Sequence, residues 1–314
     1  MTMTLIDCLN YLKENDGYLL VTHIRPDGDT LGSAAALCHI LRRMGKTAYL
    51  YKNPQITATF APFVEPYFAP DGFTYDHVVS VDLAAENLFP EGFKPGKIEL
   101  CIDHHPTNTN YAERLLCKPE KASCGEIILE LGKLALGQID KTEADLLYMA
   151  VSTDCGCFVY ANTNADTHRA AAELIEAGAD YKGLNKLLFR TFSYSRLVLE
   201  GMIYSGMRRY GENDCVTVAT VTLDMMKQSG ATEDDCDDLA SLAGRVAGSR
   251  VSVTIRELRP GACKISMRSN EDFDSSAVCA LHGGGGHRMA SGCTIKEDPE
   301  KARDIIVHDI LEAM

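Results

Sequence analysis

Three short stretches carry acids and imidazoles at a spacing suited to divalent-cation chemistry: His23-Ile24-Arg25-Pro26-Asp27-Gly28-Asp29, Asp103-His104-His105 and Ser152-Thr153-Asp154-Cys155-Gly156. A further acid, Asp82, follows the apolar run His77–Val81. Mixed carboxylate and imidazole ligands suit hard or borderline divalent ions. Two such ions about 3.5–4 Å apart can clamp a phosphoryl group and generate hydroxide at neutral pH. Each feature alone has a plainer reading: Asp27 and Asp29 as an acidic turn, Asp82 as a helix cap, Asp154 as a helix-terminal residue. His23, four positions before Asp27, weakens the turn reading, and two adjacent imidazoles directly after an Ile-Asp strand end have little structural purpose. Taken as a set they read as a two-ion site. Asp82 is then the natural bridge, and one imidazole of the 104–105 pair ligates metal while its neighbour faces substrate. His39, His77, His168 and His308 read as structural or surface residues, and His282 stays open because it adjoins a glycine run.

Positioning these groups requires strands that end in one place. Short apolar runs alternate with amphipathic ones in the first half, which predicts a mostly parallel sheet flanked by helices. The strands are expected at Gly17–His23, Ala48–Tyr51, His77–Val81 and Ile98–Ile102. The helices are expected at Leu31–Met44, Gly125–Leu136, Thr142–Ser152 and Thr167–Ala177. Ligands of open α/β sheets sit beyond the carboxyl ends of the strands, and His23, Asp82 and Asp103 fall there. Past residue 190 the pattern changes to a helical connector over Phe192–Arg209, strands at Cys215–Leu223, Val251–Leu258 and Ala262–Met267, and helices at Asp235–Gly248, Asp274–Cys279 and Glu300–Ala313. That order predicts a smaller α+β domain. The expected division is a catalytic domain over 1–190, a connector over 191–205 and a substrate-binding domain over 206–314.

Composition narrows the function. At 314 residues the chain exceeds one ordinary core. Its 46% hydrophobic and 24% charged content is that of a globular protein. No apolar run reaches the ~18–20 residues that span a bilayer, and no signal-peptide pattern opens the chain, so a cytoplasmic protein without membrane association is expected. The net charge of -13 is spread as about -8 over residues 1–190 and -5 over the remainder. A long nucleic acid held by many phosphates demands a positive track, so short or mononucleotide substrates are favoured. The twelve cysteines include no Cys-x-x-Cys pair and read as reduced, packed thiols.

The motifs VTHIRPDGDTLGS, VVSVDLA, CIDHHPTN and VSTDCGCF, with ALHGGGGHRMASGC near the end, resemble in order those of the DHH phosphoesterase superfamily with its companion DHHA1 domain. The resemblance covers essentially the whole chain. It implies one metal on His23, Asp27 and Asp82 and another on Asp29, Asp82, His104 and Asp154, commonly manganese. It also implies that Asp103 orients the histidine pair and that His105 meets the substrate phosphate or leaving oxygen. Arg268 and Ser269, with Gly284, Gly285, Gly286, His287 and Arg288, would bind the rest of the substrate. Cys155 stands where relatives often carry Thr. Within the superfamily the chain looks most like the bacterial bifunctional oligoribonucleases and 3′-phosphoadenosine 5′-phosphate phosphatases. That implies short RNA or nucleotide bisphosphates as substrates, with a homodimer as the assembly to test for. A cyclic or linear dinucleotide phosphodiesterase is the alternative enzyme, and a nucleotide-binding sensor the alternative outside catalysis.

Overall fold

Short leucine- and valine-rich segments form the central strands of the first unit because both faces of a parallel sheet are covered. The computed structural model describes residues 2–94, 96–236 and 239–314 and divides into two units, Met1–Thr191 and Phe192–Met314. In the first unit, α1 (Leu5–Glu14) opens on a Thr4–Asp7 capping box and leads into β1 (Tyr18–Val21), all four residues of which are buried. Next come α2 (Gly28–Arg43), β2 (Ala48–Leu50), the short α3 (Ala61–Val64), β3 (His77–Val81), β4 (Leu100–Asp103) and β5 (Arg114–Cys117). The helices α4 (Cys124–Leu136), α5 (Lys141–Asp154), α6 (Ala165–Glu176) and α7 (Tyr181–Phe189) complete it. The strand order is β2-β1-β3-β4-β5, and every pairing is parallel. The core packs α2, α4 and α5 with the sheet through Leu20, Leu37, Ile102, Ile127 and Leu147. Gly32 makes the α2–α5 approach possible, since a Cβ there would lie 2.4 Å from the Leu146 carbonyl oxygen.

The second unit begins with α8 (Tyr194–Gly206), β6 (Arg208–Tyr210), β7 (Val216–Val221) and α9 (Leu223–Ser229). It continues through β8 (Val251–Arg259), β9 (Ala262–Ser269), α10 (Ser275–Ala280), β10 (Gly285–His287), β11 (Ala290–Ile295) and α11 (Pro299–Glu312). Its sheet runs β10-β11-β9-β8-β7-β6, with β7 and β8 parallel and the other pairs antiparallel. The α-helix expected over Asp235–Gly248 is replaced by 3-10 turns at Glu233–Cys236 and Leu239–Arg245, Asp237 and Asp238 lying outside the described residues. The run of acids opposes a long helix by like-charge repulsion, and buried Leu239 and Leu242, three apart, match a three-residue turn. Among the described residues, no helix is long and apolar enough to cross a membrane.

Candidate metal centre

Adjacent parallel strands deliver three of the expected groups side by side. His23 stands two residues past β1, Asp82 directly follows β3, and Asp103 is the last residue of β4. Helix ends supply the others. Asp27 caps α2: its Oδ1 accepts from the backbone N–H of Asp29 (3.0 Å) and Thr30 (3.1 Å), so the helix starts at Gly28 rather than Leu31. A Cβ on Gly28 would lie 2.5 Å from the Thr153 side chain, so the start of α2 presses against the residue before Asp154. Asp154 itself ends α5. The Asp29 carboxylate accepts from the Cys124 (2.7 Å) and Gly125 (3.0 Å) N–H groups at the start of α4 and from the Ser33 hydroxyl (2.9 Å). A helix N-terminus favours such an anion.

The rings are oriented as ligands. Nδ1 of His23 faces the Ile24 carbonyl at 2.8 Å and Nδ1 of His104 the Lys121 carbonyl at 3.2 Å. A carbonyl can only accept, so each Nδ1 carries a proton and each Nε2 is the atom turned to the site, able to give its lone pair to a cation that displaces its proton. His23 Nε2 lies 3.7 Å from Asp27 Oδ2 and 3.9 Å from Asp82 Oδ2. His104 Nε2 lies 3.4 Å from Asp82 Oδ1, 3.7 Å from Asp154 Oδ2 and 3.8 Å from Asp29 Oδ2. The two oxygens of Asp82 therefore face different imidazoles: Oδ2 turns to His23, which groups with Asp27, and Oδ1 to His104, which groups with Asp29 and Asp154 and, through Asp82, with His105. Asp82 holds this pose with a left-handed φ of +56° and only 3% exposure. Asp is among the few residues that visit that region readily.

Asp82 Oδ1 and His104 Nε2 are buried with no hydrogen-bond partner. An orphaned buried polar atom costs about 1–3 kcal/mol, and a cation between these two would satisfy both. Charge points the same way. Burial pushes Asp154 up to about 7, against the pull of His104 and with the charges of Asp82 and Asp27. Burial and the charges of Asp82 and Asp154 push Asp29 up as well. Burial disfavours the charged His104 ring, yet the Asp82 carboxylate 3.4 Å away and the charges of Asp29 and Asp154 raise it to about 11. His23 rises to about 9 in the same manner, against burial, through Asp27 and Asp82. A pocket that binds protons this avidly has the donor set and the charge for divalent cations, and the residues fit them.

Asp103 is fully buried and differs from the other acids. Its Oδ1 accepts from the His104 N–H (2.8 Å), the His105 N–H (3.2 Å) and His105 Nδ1 (2.8 Å), and its Oδ2 from Asn108 Nδ2 (2.6 Å). That fixes the His105 tautomer and leaves Nε2 free on a side chain 33% exposed. Three asparagines escaped sequence reasoning. Asn108 steadies Asp103. Asn53 donates to the His23 carbonyl at 2.8 Å. Asn162 donates to the Asp154 carbonyl (3.1 Å) and Oδ2 (3.2 Å). Only Asn108, inside CIDHHPTN, offered a signal. Four of the remaining histidines have structural partners: His39 bonds Asp140 and Tyr67, His77 bonds Tyr11, His168 stacks on Phe158, and His282 bonds Asp309.

In the second unit Arg268 on β9 pairs in register with Ala290 on β11, and His287 on β10 with the same residue, which brings these two side-chain positions to one end of the sheet. Arg268, His287 and Arg288 are exposed. The Ser269 hydroxyl donates to the Phe273 carbonyl at 3.0 Å, closing a turn. The glycine run is a hairpin arm: a Cβ on Gly284 would lie 2.2 Å from the Gly292 carbonyl oxygen, and one on Gly286 2.5 Å from that of Ala290. Gly285 has open space around it.

Comparison with known proteins gives the family. Residues 18–151 match the DHH family N-terminal domain and residues 213–313 the DHHA1 domain. The chain is 32% identical to the bifunctional oligoribonuclease and PAP phosphatase NrnA of Thermus thermophilus, over 96% of this chain and 92% of that one. It is 27% identical to the protein of the same name from Mycoplasma genitalium, over 93% and 92% respectively. Its fold matches that of an exopolyphosphatase-related protein from Bacteroides fragilis with a TM-score of 0.87 at 24% identity, covering 98% of this chain and 96% of that one. Two domain matches in order, and a relative at this identity spanned nearly end to end, make the chain a member of the DHH family with a DHHA1 domain behind its DHH domain.

Proposed function

We propose that the chain is a two-metal phosphoesterase that releases mononucleotides from short oligoribonucleotides and converts 3′-phosphoadenosine 5′-phosphate to AMP. The observation that carries this reading is Asp82, whose two oxygens face separate histidines, His23 and His104, and one of which is buried without a partner. His23, Asp27 and Asp82 would hold one divalent ion, and Asp29, Asp82, His104 and Asp154 the other. Manganese suits the mixed carboxylate and imidazole set. Such a pair supplies hydroxide at neutral pH and neutralises charge on the phosphoryl oxygens.

The chain's own groups do the rest. Asp103 holds the Nδ1 proton of His105, so Nε2 is the atom that meets substrate. Burial disfavours the charged His105 ring, but the hydrogen bond it donates to Asp103 and the charges of Asp82 and Asp103 raise its pKa. A protonated Nε2 can therefore hydrogen-bond a phosphate oxygen or give its proton to the leaving oxygen. Arg268 and His287, with the glycine hairpin arm and Arg288, would contact the part of the substrate beyond the scissile bond. The acidic net charge supports short substrates. All twelve cysteines are free, which suits a reducing compartment.

Product analysis over di- to pentaribonucleotides, 3′-phosphoadenosine 5′-phosphate and cyclic dinucleotides, with Mn2+ and after chelation, tests the reading. Metal-dependent release of mononucleotides and AMP is expected. Cleavage confined to cyclic dinucleotides would replace the substrate assignment, and binding without turnover would make the chain a sensor.

A further inference from the structure

The loop after Asp154 is built in a costly conformation. Among the described residues, seven non-glycine residues have positive φ, and four are Asn or Asp, which tolerate it. Two of the other three, Cys157 (φ +56°) and Phe158 (φ +67°), follow Gly156 (φ +54°), so three consecutive residues are left-handed. Such strain persists only where the surroundings over-determine it, and it clusters at ligand sites. Here Phe158 is anchored inward, its ring 5.2 Å from that of His168 and 6.3 Å from that of Tyr148. The Cys157 N–H donates to the Ser152 carbonyl (2.7 Å), those of Val159 and Tyr160 to the Cys155 carbonyl (3.0 and 3.1 Å). Asn162 then ties the loop to Asp154 and to the Ala122 carbonyl. The product of this anchoring is outward display: Val159 is 80% and Tyr160 44% exposed.

From this placement we propose that Tyr160 is a nucleobase-stacking residue, the subsite that takes the base attached to a phosphate held at Asp154. The assignment rests on the phosphoesterase reading above and adds to it the means of gripping the nucleoside. The ring lies directly over Gly156, where an added Cβ would meet its carbons at 2.4–2.6 Å. Gly156 is two residues beyond Asp154, a span of at most about 7 Å, so the backbone beneath the ring is close to that of a ligand of the cluster. An aromatic face accepts any base, because every base has a π-face. That tolerance suits an enzyme trimming short RNA of mixed sequence, and stacking supplies affinity that an acidic protein cannot draw from a basic track.

The test is a cycle of substrate and side chain on the full-length, Mn2+-loaded protein. kcat/KM is measured for 5′-phosphorylated diadenylate and for two analogues in which one or the other adenine is replaced by hydrogen, using wild type, Tyr160→Phe and Tyr160→Ala. In wild type, removing one of the two bases should lower kcat/KM by about five- to a hundredfold, the range expected of base–aromatic stacking. Tyr160→Phe should keep that penalty, and Tyr160→Ala should shrink it to less than twofold. If both abasic penalties persist in Tyr160→Ala, stacking on this ring is refuted while the phosphoesterase reading stands. Loss of bound metal in Tyr160→Ala would make the ring a structural support and likewise overturn the proposal. Failure of wild type to cleave diadenylate would overturn the reading beneath it.

Discussion

Replacing Asp82 by Asn should abolish turnover without unfolding the protein. Asn preserves the side-chain volume and, like Asp, accepts the left-handed φ of +56°. Ala there would add about 1–2 kcal/mol of backbone strain and confuse the outcome. The new amide can pair with His104 Nε2, accepting through its oxygen when the ring is protonated and donating through its nitrogen when it is neutral; that atom sits 3.4 Å from Asp82 Oδ1 and otherwise has no partner, so the metal-free fold should melt within a few degrees of wild type. The charge, however, is lost to both proposed ligand groups at once. If the bridging carboxylate secures even part of the several kcal/mol that metal charge contributes to phosphoryl transfer, a loss of about 4–6 kcal/mol corresponds to roughly three to four orders of magnitude in rate. The assay pairs kcat on diadenylate with elemental analysis of the purified variant. Retention of two ions per chain with turnover within tenfold of wild type would refute the bridging role.

Other perturbations separate the remaining roles. His104→Ala should lose bound metal, whereas His105→Ala should keep it and lose turnover, as elemental analysis beside single-turnover rates will show; the reverse pattern exchanges the two assignments. Arg268→Ala or His287→Ala should raise KM for nucleotides roughly tenfold or more, the worth of a charge-assisted phosphate contact of about 1.5–3 kcal/mol. Bound metal should be unchanged, and the penalty should be much smaller on a phosphodiester lacking nucleosides; equal penalties on both would assign these residues to support of the metal site or to no role in recognition. Burial above all raises Asp154 to about 7, so the metal-free folded chain binds this proton more tightly than the unfolded chain does. Stability attached to it is therefore lost as pH climbs from about 4 to 7. Metal-free Asp154→Asn should gain stability relative to wild type across that window in thermal melts, and a constant difference would contradict the shift.

The parallel strands were legible because strands buried on both faces are simple apolar runs, and His77–Val81 has the same bounds in sequence and structure. The acids and imidazoles at their ends stood out by type. Less legible was whatever depends on distant chain. The α2 start was misplaced because Gly28, by allowing contact with Thr153, moves the cap back to Asp27. Strand β5, four residues beginning with a charge, carries too little pattern to find. The glycine run, expected only to bind substrate, leaves a turn at Gly283 and enters strand β10, where its glycines admit the carbonyls of β11. Asp29 draws its hydrogen bonds from Cys124 and Gly125, and His23 is steadied by Asn53; neither partnership leaves a local trace.

Anomalous diffraction from crystals grown with Mn2+ tests the central claim most directly. Two peaks about 3.5–4 Å apart are predicted, each in contact with a different oxygen of Asp82, one beside His23 and Asp27 and the other beside Asp29, His104 and Asp154. A single peak, or two peaks that Asp82 does not join, would contradict the two-ion account.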